Sequence, residues 1–159
     1  MTVLRIETRI AAPVERCFDL SRSIDLHERS TAKTQERAVA GVTAGLIGDG
    51  EEVTWRARHF GVWQLFTSRI TEYDRPRHFR DEMQRGAFAH FRHDHDFIER
   101  AGGTDMTDPL DFAAPLGVLG RLAEWALLAR YLADFLAERN ALIKRVAESE
   151  EWRSLLPSA

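Results

Sequence analysis

His93, His95 and Asp108 are the residues of this chain whose types and spacing offer the most chemistry. Residues 87–99 alternate in polarity, so Phe91, His93, His95 and Phe97 share one strand face while Arg92, Asp94 and Asp96 share the other. Residues 104–113 likewise put Met106, Asp108, Leu110 and Phe112 together. If residues 100–103 form the turn, Glu99 faces Thr104, Phe97 faces Met106, His95 faces Asp108 and His93 faces Leu110. A register slip of two residues would break the set. A His–Asp pair inside an apolar pocket can move a proton, because burial raises the Asp pKa and a nearby imidazolium lowers it. The same pair can instead orient a ligand's polar head or serve structure alone. Two histidines at i, i+2 can share a metal, with Asp108 as a third ligand. His90, however, points to the opposite face, so His90, His93 and His95 are not one site. The expectation is no metal and no cofactor. On the short strand 78–84 the apolar set Phe79 and Met83 is expected inside, and it carries Asp81 with it as a second interior carboxylate.

The elements that must hold these residues follow from periodicity. Residues 2–10 alternate with Leu4, Ile6 and Ile10 on one face, a half-buried strand. Pro13 suits the start of a helix, since its missing N–H would be unpaired there, and Val14, Cys17 and Phe18 follow at helical spacing. Ser23 is an N-cap for a second short helix. From about 34 to 113 the period is two, which predicts strands at 34–40, 51–60, 62–73, 78–84, 87–99 and 104–113. Pro109 inside the last of these suggests an edge position or a bulge. On 51–60, Val53, Trp55, Ala57 and His59 share the expected inner face; on 62–73, Trp63 and Leu65 are expected inside. Residues from Leu116 to about Glu151 lack proline and carry an apolar stripe that includes Trp125, Leu132, Leu136 and Ile143. As one rod that segment is roughly 50 Å long at about 1.5 Å per residue, so a break near Gly120 or an overhanging end is expected. The tail from about 152 is expected to be loosely ordered.

Composition excludes several classes. The 159 residues carry 22 Lys and Arg against 25 Asp and Glu, a net charge of −3, which does not suit a general nucleic-acid surface. Apolar runs fall far short of a bilayer span, and MTVLRIETRI has charges where a signal peptide would be apolar. The single Cys17 excludes an intramolecular disulfide framework. The expectation is one cytoplasmic domain over 1–159. The arginines between Arg56 and Arg85 are interspersed with acids and read as a solvated sheet face, with a protein partner as the rival reading.

The order strand, two short helices, six strands, one long helix resembles the START-like, or SRPBCC, superfamily. AAPVERCFDL at 11–20, GEEVTW at 50–55, ITEY at 70–73 with Pro76, and FRHDHDF at 91–97 carry the resemblance, which spans nearly the whole chain. It implies an α+β helix-grip fold: a curved seven-stranded antiparallel sheet around a long C-terminal helix, enclosing an apolar cavity. Superfamily members bind lipids, polyketides, plant hormones or quinones, and some are cyclases, so fold alone leaves function open. The expected wall is Trp55, His59, Trp63, Phe91, His93, His95, Phe97, Met106, Asp108, Phe112 and Trp125. Binding of a small, mostly apolar molecule is the first expectation. A cyclase or dehydrase with His95 and Asp108 as its catalytic pair is the second, and a protein-interaction module the third.

Overall fold

A computed structural model describes residues 2–114 and 121–157, with side chains of the last helix described from 126 onward. In chain order the elements are β1 (Thr2–Ile10), α1 (Val14–Ser21), α2 (Ile24–Ser30), β2 (Arg37–Gly41), β3 (Glu52–His59), β4 (Val62–Asp74), β5 (His78–Arg85), β6 (His90–Arg100), β7 (Gly103–Ala113) and α3 (Arg121–Ala147). The strands form one antiparallel sheet in the order β1-β7-β6-β5-β4-β3-β2. With α3 packed across it, this is the helix-grip arrangement.

Local chemistry starts the two short helices where the sequence says. Pro13 precedes α1, and the Ser23 side chain accepts a hydrogen bond from the Leu26 N–H at the start of α2. Gly120, where a break is expected, lies outside the described residues. The tail corrects its expectation. Glu151–Ser154 form a short 3-10 helix, the Arg16 guanidinium lies 4.2 Å over the Trp152 ring, and Leu155 and Leu156 pack on the core. Three apolar side chains within five residues are enough to dock it.

Pro109 is not at an edge, because β7 is flanked by both β1 and β6. Its missing N–H is accommodated where the β6–β7 ladder lapses, between His93↔Leu110 and Asp96↔Thr107, without a change of register.

Strand β4 also departs from expectation. Phe60 (φ 50°) and Gly61 (φ 78°) form a two-residue turn that pairs His59 with Val62. Positive φ at both positions is the type I′ pattern whose twist suits a hairpin. Trp63 therefore opposes Arg58 on the outer face, where the Arg56 guanidinium stacks 4.9 Å above its ring. Gln64, Phe66, Ser68 and Ile70 turn inward instead.

Two apolar clusters fill the space between sheet and helices. One gathers Ile10, Phe18, Phe79, Phe97, Met106 and Ile143; the other gathers Leu110, Phe112, Leu132 and Leu136 with Phe88 and Phe91. Between them five elements carry polar residues: Thr8 on β1, Asp81 on β5, His93 and His95 on β6, Asp108 on β7, Arg139 and Asn140 on α3. The outer face of the sheet carries a separate ladder of charge in which Arg80 pairs with Glu72 and Asp94, and His78 with Asp96 at 2.8 Å. These groups satisfy one another, as on a solvated face.

Candidate functional site

The polar layer forms the floor of a cavity of about 390 Å³ between the sheet and the first half of α3. Its walls are mostly apolar: Trp55 and Ala57 from β3, Phe66 from β4, Phe91 from β6, Leu110 from β7, and Leu128, Leu132 and Leu136 from α3. Two further polar groups enter the wall. His27 Nε2 lies 3.2 Å from Glu36 Oε1, its ring 4.2 Å from that of Trp55. His59 Nδ1 meets the Tyr131 hydroxyl at 2.7 Å. Phe60 and Leu65 border the cavity while remaining 65% and 60% exposed, which places an opening at the β3–β4 turn.

At the floor, His95 is gripped from both sides. Its Nδ1 is 2.8 Å from Asp108 Oδ1 and its Nε2 2.9 Å from Asp81 Oδ2. Only the doubly protonated ring has a donor at both nitrogens, so an imidazolium satisfies both carboxylates. Burial alone would lower the His95 pKa, but the bonds to Asp108 and Asp81 outweigh it and raise the value. His93 goes the other way: burial, then the charge of His95, lower its pKa. Burial would raise the Asp108 pKa, yet the two histidines hold it far below the usual carboxylate range; Asp81 is lowered in the same sense. Asn140 Nδ2 donates to Asp108 Oδ2 at 2.7 Å, and Arg139 Nη1 stands 3.7 Å from Oδ1. With His95 and Arg139 positive and Asp81 and Asp108 negative, the layer is formally neutral, which is how charge survives burial.

Several expected wall residues lie where they can line the cavity: Trp55, His59, Phe91, His93 and His95. Others lie elsewhere. Trp63 is on the outer face for the hairpin reason given above. Phe97 and Met106 lie on the far side of the polar layer, where Phe97 packs edge-on to Phe18 and Met106 Sδ accepts from Ser21 Oγ. Phe112 is fully buried against Phe88 in the second apolar cluster. Asp108 is fully buried behind the two histidines and does not border the cavity. The Trp125 side chain lies outside the described residues. The sequence reading missed His27, Glu36, Tyr131, Arg139 and Asn140. The polar pair Arg139-Asn140 interrupting the apolar stripe of α3 was a readable signal for the last two. His27 and Glu36 had none, since they meet only where the chain turns back from α2 into β2.

Residues 1–148 match the sequence profile of a family described as polyketide cyclase / dehydrase and lipid transport. The chain belongs to this family. No curated protein matches it. Among solved structures, TTHA0849 from Thermus thermophilus is similar with a TM-score of 0.69 at 18% identity, over 89% of this chain and 97% of that one. A START superfamily protein from Mycobacterium smegmatis gives 0.68 at 11% identity, over 92% and 97%. The di-domain ARO/CYC StfQ of the steffimycin biosynthetic pathway gives 0.73 at 12% identity; 94% of this chain matches 51% of that one, so the chain spans about half its length. Identities this low establish the shared fold of the polyketide cyclase / dehydrase and lipid transport family and leave the site chemistry to this chain's own residues. No helix among the described residues is long and apolar enough to cross a membrane.

Proposed function

We propose that this protein binds a small, mostly apolar molecule of lipid, polyketide or quinone type in the cavity between its sheet and α3. The observation that carries this reading is the combination of an apolar wall with a charged, internally neutral floor at one end. A volume of about 390 Å³ falls in the range usual for small-molecule sites, roughly 300–1,000 Å³. Apolar burial at roughly 25 cal/mol per Å² supplies affinity, and the floor fixes the orientation of a polar head. Native mass spectrometry of the purified protein, followed by denaturing extraction, tests it. A reproducible extra mass that leaves as an apolar molecule is the expected result. A bare mass that stays bare when the protein is offered long-chain fatty acids, quinones and aromatic polyketides counts against it.

A second reading is favoured by one specific feature, the clamping of His95 between Asp108 and Asp81 at the cavity floor. Protonated His95 can pass its Nε2 proton to Asp81, which borders the cavity and can hand it on to a ligand oxygen, with Asp108 holding the ring in place. That is the acid step a cyclase or dehydrase needs. Turnover of an added substrate that disappears in His95→Gln while binding persists would distinguish it from binding alone.

A further inference from the structure

We infer that Asp81, His93 and His95 form a three-ligand site for a divalent first-row metal ion, with its open position facing the cavity. The inference stands whatever organic molecule the cavity takes. One ligand atom from each residue lies within 4.8 Å of the other two. Asp81 Oδ2 is 2.9 Å from His95 Nε2 and 3.8 Å from His93 Nδ1. Bonds of about 2.0–2.1 Å in tetrahedral geometry require ligand atoms about 3.3 Å apart, and these two distances bracket that value. Small rotations of the three side chains would close the set.

The surroundings of the rings point the same way. Histidine ligands ordinarily hand their second nitrogen to a carboxylate, which fixes the ring and raises its basicity. Here one carboxylate oxygen lies within reach of both rings: Asp108 Oδ1 is bonded to His95 Nδ1 at 2.8 Å and stands 3.3 Å from His93 Nε2 without bonding it. Its other oxygen is held by Asn140 at 2.7 Å. Asp108 thus stands behind the pair, away from the cavity, while Asp81, His93 and His95 all border it. Buried His93 Nε2 makes no hydrogen bond to any described residue, so the network as it stands leaves that ring incompletely employed. A metal on Nδ1 would orient it and aim Nε2–H at Asp108. Two imidazoles and one carboxylate are a donor set suited to Zn²⁺ or Fe²⁺ rather than to Mg²⁺ or Ca²⁺, which prefer all-oxygen shells. Three protein ligands with an open fourth position are the pattern of a site that receives water or a ligand oxygen, not of a closed structural site. The apolar walls above would then present a ligand's oxygen-bearing end to the metal.

The test uses the full chain, stripped with a chelator and titrated with Co²⁺ and Zn²⁺. One Co²⁺ per chain, with the visible absorption of a four-coordinate ion and displacement by one Zn²⁺, is expected. His93→Gln and Asp81→Asn should each lower Zn²⁺ affinity about 100-fold or more, and Asp108→Asn about 10–100-fold as an outer partner. His78→Gln and His90→Gln, on the outer face, should change nothing. Dissociation constants weaker than about 1 mM for both ions would overturn the inference. So would binding that survives His93→Gln and Asp81→Asn, since the ion would then sit elsewhere. Should those variants fail to fold by near-UV circular dichroism, wild-type crystals soaked in Zn²⁺ decide it. An anomalous peak among the three side chains supports the site, and soaked crystals lacking one there refute it.

Discussion

His93 and His95 lie with ring centroids 3.9 Å apart, share the same Asp108 oxygen, and are driven to opposite protonation behaviour. The reason is allocation. Asp81 and Asp108 each present an oxygen at hydrogen-bond distance to His95, whereas His93 receives neither at good geometry and feels the positive charge of its neighbour. The Phe79 ring stacks on that of His95 at 4.1 Å.

Metal-free protein should therefore be most stable near pH 6.5, roughly the unperturbed histidine value. The raised pKa of His95 gives stability that is complete below about 6.5, its unfolded value, and lost as pH rises through the folded value. The lowered pKa of His93 gives stability that is complete above about 6.5 and lost as pH falls. Thermal unfolding of the chelator-treated protein from about pH 5 to 9 should fall on both sides of the maximum. In His95→Gln the decline on the alkaline side should vanish. An alkaline limb unchanged in that variant would remove His95 as its source.

Asn140→Ala should cost about 1.5–3 kcal/mol, because it strips a hydrogen bond from a fully buried, charged Asp108. The urea midpoint should drop with little change in slope. A loss no larger than that of an exposed substitution would mean that Arg139 or water takes over the Asp108 oxygen.

Ala57→Leu should expel bound ligand without unfolding the protein. Ala57 is buried on β3 and borders the cavity, so added methyl groups enter open space rather than a packed core. Co-purified apolar mass should fall while the thermal midpoint holds or rises. Undiminished ligand in this variant would place the ligand outside the cavity.

Trp63→Ser should leave ligand retention unchanged. Its ring lies outside the sheet under Arg56, and the stability loss should be of the order of an exposed cation–π contact, about 0.5–1 kcal/mol. Lost retention would contradict the register set by the β3–β4 turn.

Much of this arrangement is written in alternation. A strand's side chains have period two, so His93, His95 and Asp108 could be assigned to one face from Phe91, Phe97, Met106 and Leu110 alone. The short β6–β7 connection fixed their register, because few residues leave few ways to close a hairpin. Trp63 shows the limit: its strand has apolar residues on both faces, and two residues of positive φ, Phe60 and Gly61, decide which face turns inward.

The sequence by itself determined the order of elements and the meeting of His95 with Asp108, since both follow from local periodicity and short connections, and the resemblance to the START-like superfamily implied the helix-grip architecture. Only the tertiary structure decided that the polar residues of β5, β6, β7 and α3 fall at one level, that Asp81 closes on His95 from the cavity side, and that Asn140 supports Asp108 from behind. The first contact, 14 positions apart, comes from the β5–β6 register, in which Asp81 pairs with His93; the second, 32 apart, depends on the curvature of the sheet and the angle at which α3 crosses it. Curvature and crossing angle are set by packing over the whole molecule, and no local pattern encodes them.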